Sequence, residues 1–288
     1  MAGPPAGQPK PEAFTVDSGG VALSGEEEGE GPAIVTIHGL TSTRRVVLHG
    51  SRHLPRAGFQ VIAYDARGHG TSAPGPVGSY DYDHLGADVA AVAEARAGEG
   101  RVVLAGHSMG AHTIAALALS GFERLAAAVF IGPAAMGTPS DPDRLAYWDR
   151  LADGLEEGGV EGFIAAYDQD LNPEWRETVL RIARQRLSEH EHPEAVAQAL
   201  REIPRAQVFD GIQQLSRIDV PALVVASHDE ADPGHPYDVA DAWAEHLPQA
   251  RLVSEEPGES PLAWQGGRLS RVIEEFCRSP EVRERLEG

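Results

Sequence analysis

The sequence predicts an α/β protein: a doubly wound, mostly parallel sheet with one helical insertion. Two observations carry this. Short, continuous apolar runs rich in β-branched residues alternate with longer segments of helical spacing. Such runs are what parallel strands covered on both faces require. The interval 134–217 then breaks the alternation, with helical stretches and scattered prolines but no strand pattern. The chain has 288 residues, 42% of them hydrophobic, enough for one large core.

Residues 1–12, opening in a Pro/Gly/Ala-rich run, are expected to form a flexible tail. Segments 13–17 and 20–24 are read as an antiparallel edge. Strand candidates follow at 33–37, 59–64, 101–105, 127–131, 222–226 and, more weakly, 250–253. Helix candidates lie near 83–98, 109–120, 237–247 and 267–278. Strand–helix–strand order implies right-handed crossovers and hence a parallel sheet. The expected division is a core of 13–133 and 218–288, with 134–217 as a helical cap. Sitting where strands end, the cap covers the carboxyl edge, where open α/β sheets bind ligands. Its Trp148, Phe163, Tyr167 and Trp175 are candidates to line a pocket under it.

Composition narrows the function. Lys and Arg number 24 against 44 Asp and Glu, a formal net charge of −20. That field repels phosphate backbones and anionic lipid, so neither nucleic acid nor membrane is an expected partner. One cysteine, Cys277, excludes an intrachain disulfide and a cysteine-based metal site. No apolar run is long enough to span a bilayer, and the N-terminal residues lack the pattern of a secretory signal. The expectation is a soluble, cytoplasmic protein acting on a small molecule. No histidine pair has zinc-site spacing, so no metal or organic cofactor is expected.

The sharpest motif is Gly106-His107-Ser108-Met109-Gly110, between the strand candidate ending at Ala105 and a helix opening at Ala111. Glycines at both flanks permit a tight, strained strand-to-helix turn that exposes the serine hydroxyl. The Met109 N–H then lies at a helix N-terminus, placed to stabilise a developing oxyanion.

Here the chain resembles the α/β-hydrolase fold family over nearly its whole length. His38-Gly39-Leu40 is similar to the family's oxyanion loop. Asp65-Ala66-Arg67-Gly68-His69-Gly70-Thr71-Ser72 is similar to its D-x-R-G-x-G-x-S loop. Gly106 to Gly110 is similar to the nucleophile elbow, and Asp232-Pro233-Gly234-His235-Pro236 to the acid loop. The resemblance implies that Ser108 is the nucleophile and that the N–H groups of Leu40 and Met109 form the oxyanion hole. It also implies that 134–217 corresponds to the family's cap. Asp232 fits the acid position best, with Asp229 as the alternative.

The resemblance fails at the base. The family places a histidine after its last strand, within a Gly-His step. Here the corresponding step is Gly258-Glu259, and no histidine follows His246. Three outcomes follow. Glu259 acts as the base with a pKa raised by burial and by Asp232. Or a histidine from another loop is recruited, His235 first and then His38. Or the protein is a ligand-binding, lyase-like or isomerase-like member of the fold without a complete triad. His38 and His69 are otherwise read as loop supports, and His107 and His112 as packing residues. His190 reads as a surface or helix-face residue. The leading expectation is a serine hydrolase of a small, largely apolar ester, lactone or related carbonyl compound.

Overall fold

The computed structural model describes residues 11–171, 173–228, 232, 234–256, 264 and 267–288. Strands β1 (Glu12–Ser18) and β2 (Val21–Glu28) form a hairpin in which Ser18 faces Val21. Gly19 and Gly20 turn it at φ 60 and 88°, the pair of positive values that a two-residue turn matching strand twist demands. Glu12, assigned to the tail from sequence, is the first residue of β1.

After the hairpin come β3 (Ala33–Ile37), α1 (His53–Arg56), β4 (Gln60–Tyr64) and α2 (Tyr82–Arg96). Then follow β5 (Val102–His107), α3 (Met109–Leu119) and β6 (Leu125–Ile131). The carboxyl-terminal part holds β7 (Ala222–Val225), α7 (Tyr237–His246), β8 (Ala250–Val253), α8 (Gly267–Cys277) and α9 (Pro280–Glu287). The strands form one sheet in the order β1-β2-β4-β3-β5-β6-β7-β8, antiparallel across β1–β2 and β2–β4 and parallel from β4 to β8.

The strand pattern explains itself by period two. Ile34, Val103, Val129 and Leu223 enter the apolar layer shared with α8 and α9. Val35, Leu104, Phe130 and Val224 enter the opposite layer, with α2, α3 and α7. Both faces are dry, so both sets must be apolar. Each fully buried side chain of this size contributes about 1.5–3 kcal/mol of transfer free energy.

From β3 the chain steps to β4 on one side and then crosses to β5 on the other. The carboxyl ends of β3 and β5 therefore flank a topological switch point, where loops diverge and leave a crevice. Residues 38–43 leave β3 there, and Ser108 leaves β5.

Between β6 and β7 lie α4 (Pro142–Tyr167), α5 (Arg176–Leu187) and α6 (Pro193–Glu202), with 3-10 turns at Ile203–Arg205 and Ile212–Arg217. Asp141 caps α4, its Oδ1 accepting from the Arg144 N–H at 2.9 Å, and Pro142 occupies the first turn. Gly159, at φ 59°, breaks α4. The two halves then approach so closely that a Cβ on Gly162 would lie 2.0 Å from the Gly154 carbonyl oxygen. These helices carry their own apolar cluster, including Leu151, Leu155, Ile164, Leu180 and Val196, against which Leu40 of the core packs. No described helix is long and apolar enough to cross a membrane.

Candidate active site

Ser108 sits between β5 and α3 with φ 52° and ψ −112°, a backbone conformation that non-glycine residues seldom adopt. Its flanking glycines are obligatory. A Cβ on Gly106 would lie 2.3 Å from the Gly110 carbonyl carbon, and one on Gly110 would lie 2.2 Å from the Ile37 carbonyl oxygen. The Ser108 N–H donates to the Ile131 carbonyl at 2.9 Å, which ties the turn to β6. The Met109 N–H belongs to the first turn of α3, whose donors have no intrahelical acceptor. Gly39 passes close by: a Cβ there would lie 3.4 Å from Ser108 Cβ and 2.9 Å from His107 Nδ1. The Leu40 peptide thus borders the serine on the side of β3.

Three histidines hold that loop, and their hydrogen bonds assign their tautomers. His38 donates from Nδ1 to the Gly39 carbonyl at 2.8 Å and accepts the Ala66 N–H at Nε2, 2.9 Å. His69 donates from Nδ1 to the Arg67 carbonyl and accepts the Thr41 N–H at Nε2. His190, on the loop after α5, donates from Nε2 to the Thr41 carbonyl at 3.0 Å and accepts the Gly70 N–H at Nδ1, 2.8 Å. Burial pushes His38 down to about 4, and pushes His69 and His190 below the usual histidine range as well. A neutral imidazole is the form that both donates and accepts. His38 cannot serve as the base, because both its ring nitrogens are taken by backbone. His190 is no surface residue: with Glu191, whose N–H donates to the Gly70 carbonyl at 2.8 Å, it fastens the segment after α5 to the loops of the core. In the same loop Arg67 makes a two-point pair with buried Asp88, at 2.8 and 2.7 Å.

Beside His107 stands an Asp–His pair. His235 Nδ1 lies 2.7 Å from Asp232 Oδ2. The His235 ring abuts Gly132, where a Cβ would lie 3.4 Å from its Cγ, and its centroid is 4.9 Å from that of His107. Gly132 directly follows the residue whose carbonyl holds the Ser108 N–H. Burial works against charge on Asp232, but the His235 imidazole, with His107 and Arg186 behind it, brings its pKa below the usual carboxylate range. His107 therefore faces the Asp–His pair and Gly39 at the sheet edge, instead of packing between sheet and helix as read from sequence. His112 is a packing residue as expected, accepting the Ala134 N–H at Nε2, 2.9 Å, and meeting the Tyr82 hydroxyl at Nδ1.

Asp229 and Glu259 lie outside the described residues. In the segment after β8, Glu255 is buried. Its Oε1 accepts from the Ser227 hydroxyl and the His228 N–H, each at 2.6 Å, and its Oε2 from Trp264 Nε1 at 3.2 Å. So many donors hold this carboxylate as a strut between the loops after β7 and β8. Nothing in the local sequence marks it out from its acidic neighbours.

Of the four aromatics expected to line a pocket, Phe163 is buried within the helical cluster and packs its ring 5.7 Å from Tyr167. Trp148 stacks edge-on against Tyr147. The buried Trp175 Nε1 has no acceptor among the described residues. Tyr167 shares the electrostatic environment of Asp232 and Arg186. Among the described residues no three His, Cys, Asp or Glu side chains converge as metal ligands would.

Known proteins place this architecture. The alpha/beta hydrolase fold family model matches residues 32–266. The chain is 36% identical over 151 residues to a non-heme haloperoxidase from Rhodococcus erythropolis, covering 51% of this chain and 54% of that protein. It is 28% identical over 176 residues to epoxide hydrolase A of Mycobacterium tuberculosis, covering 58% of this chain and 52% of that protein. The chain thus spans about half the length of these curated relatives. A solved structure of a thermophilic esterase from Thermogutta terrifontis, with malate bound, superposes with a TM-score of 0.76 at 22% identity, covering 96% of this chain and 99% of that one. Sheet order, the glycine-flanked turn at Ser108 and the family match over most of the chain agree: the protein belongs to the α/β-hydrolase fold family.

Proposed function

We propose that the protein is a serine-type hydrolase of small, largely apolar esters or lactones, with Ser108 as nucleophile and the Asp232–His235 pair as its base. The observation that carries this reading is the 2.7 Å contact of that pair, beside the residue that follows the Ser108 anchor on β6. Hydrolase relatives at family level support it as well.

In this reading the Asp232 carboxylate accepts the Nδ1 proton of His235 and orients the ring, leaving Nε2 to take the Ser108 proton. Ser108 Oγ then attacks the carbonyl carbon, and the oxyanion is met by the Leu40 and Met109 N–H groups. The imidazolium returns its proton to the leaving alcohol. Water, activated by the same imidazole, releases the acid from the acyl-serine. The helices α4–α6 act as the cap over this space. Glu259, at the family's usual histidine position, is the competing base.

The test is burst kinetics and the pH profile of kcat/KM with a chromogenic short-chain ester. An acyl-enzyme burst that Ser108→Ala abolishes is expected. Loss of the base is expected to cost on the order of 10⁴–10⁶-fold. His235→Gln should show that loss and Glu259→Gln should not. The opposite pattern moves the base to Glu259. Absence of any Ser108-dependent turnover in the wild type would instead support the non-hydrolytic alternative.

A further inference from the structure

Arg186 stands apart from the cap arginines that form outer ion pairs. Arg176, Arg184, Arg201 and Arg205 each pair with a carboxylate on the outside of the helical layer. Arg186, in the last turn of α5, pairs with none: its Nε is buried and has no acceptor among the described residues. Yet its charge is felt by Asp232 and His107 on the core side, and it lies in the field of Tyr147 and Tyr167 from α4. Asp232 is the acidic group among these, and no ion pair joins it to Arg186. The segment that follows Arg186 is fastened to the core loops by Glu189 on Thr43 at 3.0 Å and by His190 on Thr41 and Gly70. The guanidinium is therefore held at the cap–core boundary, on the side of Asp232 and His107.

A buried guanidinium nitrogen with no acceptor among the described residues is a costly arrangement. A guanidinium presents a planar fork that matches a carboxylate at two points, and its value rises where water is excluded. We propose that Arg186 is a substrate-binding residue that receives a free carboxylate, so that the substrate is a small ester or lactone bearing one acid group on an otherwise apolar frame. This rests on the acyl-transfer reading of Ser108 and narrows its substrate class. Tyr147 and Tyr167 frame the same space, and Asp232 stays committed to His235.

The experiment compares 4-nitrophenyl hemisuccinate, which carries the acid group, with 4-nitrophenyl butyrate, which does not. The ratio of their kcat/KM values is expected to fall by roughly 10–100-fold in Arg186→Gln, the range for losing a charged hydrogen-bond partner. Arg186→Lys should lose less, keeping the charge but not the fork. Arg184→Gln, which breaks an outer pair with Glu161, should leave the ratio within about threefold of wild type. Calorimetric titration with succinate should show binding to the wild type that weakens in Arg186→Gln by a similar factor. An unchanged ratio in Arg186→Gln, or equal succinate binding by both proteins, overturns the proposal. If the wild type cleaves neither ester, the acyl-transfer reading fails while the titration still decides the subsite. If both esters are cleaved without discrimination, the subsite fails and that reading stands.

Discussion

Replacing Gly110 by alanine should move the loop after β3 without unfolding the protein. A Cβ at this position would lie 2.2 Å from the Ile37 carbonyl oxygen and 2.7 Å from its carbonyl carbon. Both are backbone atoms at the end of β3, where Ile37 is registered against Gly106 of β5. Relief requires α3 and β3 to separate by about 1 Å, toward ordinary contact distance. Overpacking of this kind costs about 1–3 kcal/mol, and alanine in a helix returns about 0.5–1. The net, about 1–2 kcal/mol, should lower Tm by roughly 2–8 °C in a protein of this size. Activity should suffer more. Gly39 follows Ile37 by two residues and would carry a Cβ 3.4 Å from that of Ser108, so the shift is passed directly to the Leu40 N–H. A misplacement near 1 Å costs on the order of 100-fold in rate. Gly86→Ala is the matched control. There the added Cβ meets only Leu117, at 3.6 Å, and the helix interior should gain about 0.5–1 kcal/mol. Thermal unfolding and kcat/KM on a short-chain ester measure both effects. If Gly110→Ala matches Gly86→Ala in both, the steric argument is wrong.

Acid should destabilise the fold through its neutral histidines. Their ordinary pKa is 6.5, whereas burial holds His38 to about 4 and His112 to about 3. Between those values the unfolded chain binds the extra protons, so stability is complete above about 6.5 and falls as pH drops toward 4. Each such histidine adds about 1.4 kcal/mol per pH unit. His112→Gln should remove one histidine's share of that slope in urea unfolding at pH 7 and pH 5, and parallel acid limbs would refute it. His190→Ala should loosen the loop after β3 by freeing the Thr41 carbonyl and the Gly70 N–H. Two lost hydrogen bonds, about 1 kcal/mol each, should lower Tm by a few degrees. A fall of about tenfold in kcat with KM nearly unchanged is expected, and an equal rise in KM alone would count against a role in the loop.

The turn at Ser108 was legible because it is decided locally. With glycines two residues either side, the serine meets a steric demand that neighbours along the chain impose, and the strained φ follows. The parallel strands were legible for a similar reason, since two dry faces leave only continuous apolar runs. Local pattern was too weak for short α1 and for α9, whose residues became helical through packing on the sheet. His190 lies 149 residues from Thr41, and nothing between them in the chain announces that the two meet. His235 is one of several candidate bases in the sequence, and its contact with Asp232 and Gly132 is visible only in the fold. His107 and Arg186 were ordinary residues in their own segments, and the tertiary fold alone brought both into the surroundings of Asp232. Hydrophobic period and glycine sterics act over a few residues, so they can be read in order along a chain. The partner of a buried charge or imidazole is chosen by which loops the sheet brings together, and that is set only when distant segments close on each other.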